Sequence, residues 1–332
     1  MTKTAYDLSD RLYQLAPWDW MDETRLIAIE NPQTSVRDHI SIMGQAGNHY
    51  SLALYRGLEA RRRFNLIQEA RDLPQEDILA LILDTPQLQC SFSERTDLFK
   101  SEFAAIKQAG KKYRGEAWPS FRSFRPGRCP IPAAPDEVEW LCTAIENVLE
   151  VAPTLAEGAD TFRYEAGRPE ILTRVCDQGA WKSIWTQDDS TLHAYPRPAA
   201  DEFLLEKIRL HARAVPLETQ FMLLPDPVGK SRETSIFPYL LLIVEPKSHF
   251  IIGVKTFSVE ETSYEDLMAS IPTELLRLCD KNSIRPASMA VTSPATHALL
   301  SQTAQALGIR CDLKKRLPAL EQAVHSLMGF TG

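Results

Sequence analysis

Residues 219–328 constrain the chain most, because their hydrophobic pattern sets out three strands, then helix, strand, helix, strand, helix. Thr219 to Leu224 predicts the first strand. Tyr239 to Glu245 and Phe250 to Phe257 predict a hairpin across Pro246-Lys247-Ser248. Ser263 caps a helix to about Lys281, interrupted by Pro272. Ala287 to Thr292 is a strand of the buried type, and Pro294 opens a helix that Gly308 stops. Ile309 to Leu313 is a strand, and Pro318 opens a last helix to Met328. Strand–helix–strand links this short imply parallel pairing. The C-terminal part therefore reads as an α/β domain with a mixed sheet.

At 332 residues the chain has room for two domains. An α+β domain is expected over 1–153, a connector with one hairpin over 154–200, and the α/β domain over 201–332. In the first, His39 to Met43 and Tyr50 to Tyr55 make a hairpin around Gly44-Gln45-Ala46-Gly47-Asn48. A basic amphipathic helix spans Leu58 to Arg71, and Pro74 starts a short one. Leu88 to Phe92 is a strand, and Ser93 is placed to cap a helix to Gln108. Five prolines and no helical period make 111–135 read as a long ordered loop. Pro135-Asp136-Glu137 opens the next helix and Pro153 ends it. The connector hairpin pairs Ile171–Cys176 with Trp181–Thr186 across Asp177-Gln178-Gly179.

Composition narrows the function. Hydrophobic residues are 44% and charged residues 24%, a globular balance that excludes a disordered chain. The longest apolar run, Leu240 to Val244, falls far short of the ~18 residues a membrane helix needs. No apolar segment follows the N-terminal lysine as a signal peptide requires, so a cytoplasmic protein without a membrane partner is expected. Six cysteines occur without Cys-x-x-Cys or zinc-ligand spacing, so they read as reduced, buried thiols. The net charge of −7 argues against nucleic acid as a dominant partner but leaves room for a local basic patch.

Several segments carry a family resemblance. They are Trp18-Asp19-Trp20-Met21-Asp22-Glu23-Thr24, Ser41-Ile42-Met43-Gly44 with Gly47-Asn48-His49-Tyr50, and Trp118-Pro119-Ser120-Phe121-Arg122-Ser123-Phe124-Arg125-Pro126-Gly127. Phe237-Pro238-Tyr239 and Arg316-Leu317-Pro318-Ala319-Leu320 belong with them. Together they resemble a bacterial family of two successive domains of unknown function, which implies a domain division and no chemistry. Separately, the element order of 219–328 resembles the ribonuclease H and integrase superfamily. That resemblance implies three carboxylates, on the first strand, at the end of the fourth and on a later helix, gripping magnesium or manganese.

The sequence does not supply those acids in place. The first strand offers none before Asp226, and the fourth ends in Thr292 and Ser293. A nuclease or phosphodiesterase would need a rearranged set, Asp226, Glu245 and Glu321. The expectation is therefore a pseudoenzyme with no catalytic residues, no metal site and no cofactor.

The richest chemical patch is 107–128. Lys107, Lys111, Lys112, Arg114, Arg122, Arg125 and Arg128 stand there against one acid, Glu116, with Tyr113, Trp118, Phe121 and Phe124 among them. Cations bind phosphates and flat rings stack on bases, so the mixture suits single-stranded nucleic acid. Arginines in a Pro/Gly-rich loop also suit another phosphate or a carboxylate. The bland alternative has the rings anchoring a loop and the arginines pairing with the many acids. His39 and His49, on opposite hairpin arms, are a two-ligand metal candidate without a third. Gly229-Lys230-Ser231 lacks the upstream glycine and following helix of a phosphate-binding loop. The chain thus reads as a non-catalytic binding or interaction protein. Lys111, Lys112, Arg114, Trp118, Arg122, Arg125 and Arg128 are its ligand-binding candidates; the partner is left open among nucleic acid, another phosphate or carboxylate ligand, and a protein.

Overall fold

The structure, a computed structural model, describes residues 3–47, 49–69, 75–192 and 196–329. Asn48, Arg71 and Pro74, placed above in a turn, at a helix end and at a helix start, lie outside the described residues. The chain divides into two compact units, residues 1–193 and 194–332. Both are mixtures of helices and open sheets.

The first unit opens with α1 (Lys3–Leu15), then β1 (Ile27–Glu30), β2 (Arg37–Met43) and β3 (Tyr50–Tyr55). Two helices follow, α2 (Gly57–Glu69) and α3 (Gln75–Leu83), then β4 (Gln87–Ser93) and α4 (Lys100–Gln108). The rest is β5 (Trp118–Phe124), β6 (Ile131–Pro132), α5 (Pro135–Ala156), β7 (Phe162–Glu165), β8 (Arg168–Asp177) and β9 (Ala180–Gln187). The strands form one sheet in the order β6-β5-β4-β3-β2-β1-β8-β7, with β9 also on β8. Alternation along β1–β4 decides what each face meets. Ile27, Ile29, Ile40, Ile42, Leu52, Leu54, Leu88 and Cys90 point to α1 and α5, where Tyr6, Leu12, Leu141, Ile145 and Val148 complete the main core. On the other face Ala28, Ala53 and Tyr55 pack with Ala60 and Phe64 of α2.

The 111–135 segment is not a loop throughout. Trp118–Phe124 pairs along its whole length with β4, from Ser93↔Trp118 to Gln87↔Phe124. The strand escapes a hydrophobic-alternation reading because the face it shares with Ser91, Gln89 and Gln87 is largely polar on both strands. Residues 154–200 are not a connector either. Their hairpin closes through Gln178 and Gly179, both at positive φ as a type I′ turn requires, and β8 pairs in parallel with β1 at Ala28↔Thr173. Two helix ends also differ. Ser93 caps nothing; α4 begins at Lys100, where Glu102 accepts the Phe99 N–H at 2.7 Å. Pro153 sits inside α5, one turn before its end, instead of stopping it.

The second unit runs α6 (Glu202–Arg209), β10 (Arg213–Leu223), β11 (Tyr239–Glu245), β12 (Phe250–Phe257), α7 (Tyr264–Lys281), β13 (Ile284–Val291), α8 (Pro294–Leu307), β14 (Cys311–Leu313) and α9 (Pro318–Gly329). Its sheet has the order β12-β11-β10-β13-β14. The first three strands are antiparallel neighbours, whereas β13 runs parallel to both β10 and β14. One face of this sheet is covered by α6, α7 and α8: Ile208, Leu267, Ile271, Leu275 and Leu300 pack over Leu217, Leu241 and Ile243. The other face, Leu240, Leu242, Val244 and Ala290, is covered by Leu317, Leu320 and Ala323 at α9. Asp201 caps α6 through the Leu204 N–H, and Ser263 caps α7 through the Asp266 N–H. No helix among the described residues is long and apolar enough to cross a membrane.

Candidate functional site

The three alternative metal acids are not brought together. In the β10–β11 register Leu223 faces Tyr239 and Glu218 faces Val244. Asp226 therefore lies past one end of the pair and Glu245 at the other, separated by at least six strand residues, about 20 Å. Glu245 is held by Arg213 at 3.4 Å and by the Ser248 hydroxyl at 2.5 Å. Glu321 turns to Arg316, whose hydrogen bonds pull its pKa down. Among the described residues no group of three His, Cys, Asp or Glu side chains stands where it could hold a metal. His39 and His49 do not face each other: His39 pairs with Tyr55, whereas His49 precedes Tyr50 at the opposite end of β3.

Just past the end of β13, the polar pair reaching across from β10 is neutral. Gln220 Oε1 accepts from Thr292 Oγ1 at 2.9 Å and from the Thr292 N–H at 3.3 Å. One acid does lie inside β10. Glu218 is 7% exposed, and its Oε2 accepts the Leu320 N–H at 2.9 Å, capping the first turn of α9. The sequence reading missed it by starting the strand at Thr219.

The basic segment is split by β5. Trp118 and Phe124 are six residues apart on a strand, about 20 Å, so the residues before Trp118 and those after Phe124 occupy opposite ends. At the first end Lys111 lies between Asp7 (2.5 Å) and Asp10 (2.6 Å) of α1, and those two hydrogen bonds raise its pKa. Trp118 packs against Phe103 and Tyr113, each with centroids 5.7 Å away, and Phe103 carries Arg95 and Lys107 over its ring. Those rings are pieces of the scaffold. Lys112 and Arg114 are exposed, and no ion pair or side-chain hydrogen bond holds either among the described residues. In the middle of β5, Arg122 is committed: its Nε and Nη2 reach the two oxygens of Glu102 at 3.2 and 3.1 Å, and Glu102 is 2% exposed.

The far end of β5 is built differently. A turn, Arg125-Pro126-Gly127-Arg128, closes with the Arg128 N–H on the Arg125 carbonyl at 3.0 Å, leaving Arg128 half-buried and Arg125 exposed. Arg125 Nη2 meets Glu137 Oε1 at 3.2 Å. Glu137 is already engaged by the Ser123 hydroxyl and by the Ala134 N–H at the start of α5. Across a cleft of about 200 Å³ stands Arg56, at the end of β3. Its Nε lies 3.2 Å from Asp38 Oδ2. Asp38 also accepts the Trp140 indole N–H at 2.8 Å and the Gly57 N–H at 2.7 Å. Burial raises the Asp38 pKa, against these hydrogen bonds and the Arg56 charge. Pro86, Leu88 and Phe124 line the apolar part of the cleft. Sequence reasoning found Arg125 and missed Arg56 and Asp38. Only the β2–β3 register, which brings His39 to Tyr55, could have signalled that the residues flanking that pair meet.

Two family models match the chain. One, described as Domain of unknown function (DUF7309), matches residues 3–174, and the other, Domain of unknown function (DUF6930), matches residues 204–328. No curated protein matches it.

Proposed function

The chain belongs to the family of the domain of unknown function DUF7309, and from its geometry we propose a non-catalytic binding protein that contacts single-stranded nucleic acid through the first unit. The observation that carries this is the pair Lys112 and Arg114: two exposed cations with no acid on them, in a segment whose neighbours Lys111 and Arg122 are neutralised. Free surface cations that neutralise backbone phosphates release the counterions condensed on the strand. The second unit is read as a ribonuclease H-like scaffold that has lost its metal acids. Its β-β-β-α-β-α-β-α order supports the scaffold, and the Gln220–Thr292 pair supports the loss, because neutral side chains do not replace carboxylates on magnesium.

The test is retention of fluorescent single-stranded oligonucleotides at low salt. Lys112→Ala with Arg114→Ala should weaken binding and lower the salt slope by about 1.4, at about 0.7 per lost phosphate contact. Arg122→Ala is the wrong variant, since it strands the buried Glu102 carboxylate at a cost of about 3–5 kcal/mol. Wild-type protein that retains no oligonucleotide at about 50 mM salt, where counterion release favours binding most, removes this function.

A further inference from the structure

We propose that the cleft between Arg56 and Arg125 is a pocket for a phosphate monoester, the terminal phosphate of a single strand. The inference rests on the nucleic-acid reading for its source and on the cleft alone for its chemistry. Each arginine spends one edge of its guanidinium on a carboxylate: Arg56 its Nε on Asp38 behind it, Arg125 its Nη2 on Glu137, which itself lines the cleft. The Nη groups of Arg56 and the Nε and Nη1 groups of Arg125 have no protein acceptor among the described residues. Both side chains are accessible, at 41% and 53%. Their carboxylates are not, at 3% and 13%, and every oxygen of Asp38 and Glu137 already has a donor. The acids thus orient the forks, and because their charges offset those of the two arginines, it is the free N–H donors and not a net positive charge that select the anion.

Two forks facing one cleft decide the ligand class. A carboxylate has two oxygens, which one guanidinium satisfies. A phosphate monoester has three terminal oxygens and a charge of roughly −1.5 to −2, enough for both arginines at once. The volume, about 200 Å³, is below the roughly 300–1,000 Å³ of sites that enclose a whole drug-sized ligand. It holds an end group, with Phe124 and Leu88 beside whatever bears it.

The experiment uses the full chain and two kinds of probe. Phenyl phosphate, titrated by calorimetry, should bind saturably, and Arg56→Ala or Arg125→Ala should weaken it at least tenfold. Arg56→Lys keeps the charge beside Asp38 but loses the fork, so it should weaken binding too while preserving the fold, checked by its melting curve. Lys112→Ala with Arg114→Ala should leave phenyl phosphate binding unchanged. Benzoate should bind at least tenfold more weakly than phenyl phosphate. Next, a 5′-phosphorylated hexathymidylate should outbind its 5′-hydroxyl counterpart about tenfold. No saturable phenyl phosphate binding, or benzoate binding equally well, overturns the pocket. Equal retention of the two oligonucleotides overturns its assignment to a strand end but leaves nucleic-acid binding standing. Loss of oligonucleotide retention with phenyl phosphate still bound removes the nucleic-acid function and its strand-end ligand, leaving a pocket for small phosphate monoesters.

Discussion

Arg122 and Arg125 are near neighbours in sequence and differ completely in what surrounds them. The first has a bidentate partner in buried Glu102; the second shares a carboxylate and keeps most of its donors toward solvent. Composition marked both as ligand candidates because it counts charges and cannot see which acid the fold brings to each. His39 shows the same blindness from the other side. It was weighed as a metal ligand, yet it is 3% exposed on β2, and burial, aided by the charges of Arg61 and Arg37, holds its pKa well below the usual value. The unfolded chain therefore takes up a proton near pH 6.5 that the folded chain refuses. This stability is fully present above pH 6.5 and is lost as pH falls below it. Between pH 7.5 and 5.5 the loss from this one group is on the order of 1 kcal/mol. Urea unfolding across that range should show wild type losing that much more than His39→Leu. Parallel pH profiles for the two proteins would show that His39 takes up its proton in the folded state.

At the scale of elements, the pattern revealed strands and helices where one face is apolar, and failed where it is not. β11 and α8 read correctly because each buries a hydrophobic stripe, whereas α7 runs through Pro272 without interruption and β13 begins at Ile284, three residues before Ala287. β5 was missed because its faces are Trp-Ser-Arg-Phe and Pro-Phe-Ser, which no two-residue period separates into apolar and polar. β10 was started six residues late because Pro216 interrupts it, at a register shift between Val215 and Pro216. The lost residues include Glu218, and with it the link that seats α9 on the sheet. Removing its oxygen leaves the Leu320 N–H, in the first turn of α9, without an acceptor. Glu218→Ala should cost about 1–3 kcal/mol in guanidinium unfolding. Glu218→Gln keeps an acceptor oxygen and should cost clearly less. Equal losses in the two variants would show that α9 does not depend on that hydrogen bond.

For the whole molecule the element order of the second unit was legible, and the extent of the first was not. A hairpin between two domains reads as a connector unless something shows which sheet it joins, and the parallel pairing of β8 with β1 is a contact across more than a hundred residues. Physically the hairpin belongs to the first unit three times over. Ile171 is buried in the core under α2. Arg174 reaches Asn147 of α5 at 2.8 Å and Glu150 at 2.7 Å. Trp181 packs beside Trp140. The hydrophobic clusters respect the same boundary, since those of the first unit draw on residues up to Trp181 and those of the second begin at Ala200. A fragment of residues 1–193 should therefore unfold in a single cooperative transition, followed by circular dichroism in guanidinium. A fragment of residues 1–153 should not, because it strips β1 of a neighbour, opens the α2 core and frees α5 from Arg174. If 1–153 unfolds as cooperatively and at the same midpoint as 1–193, then β7, β8 and β9 are an appendage and the sheet closes without them.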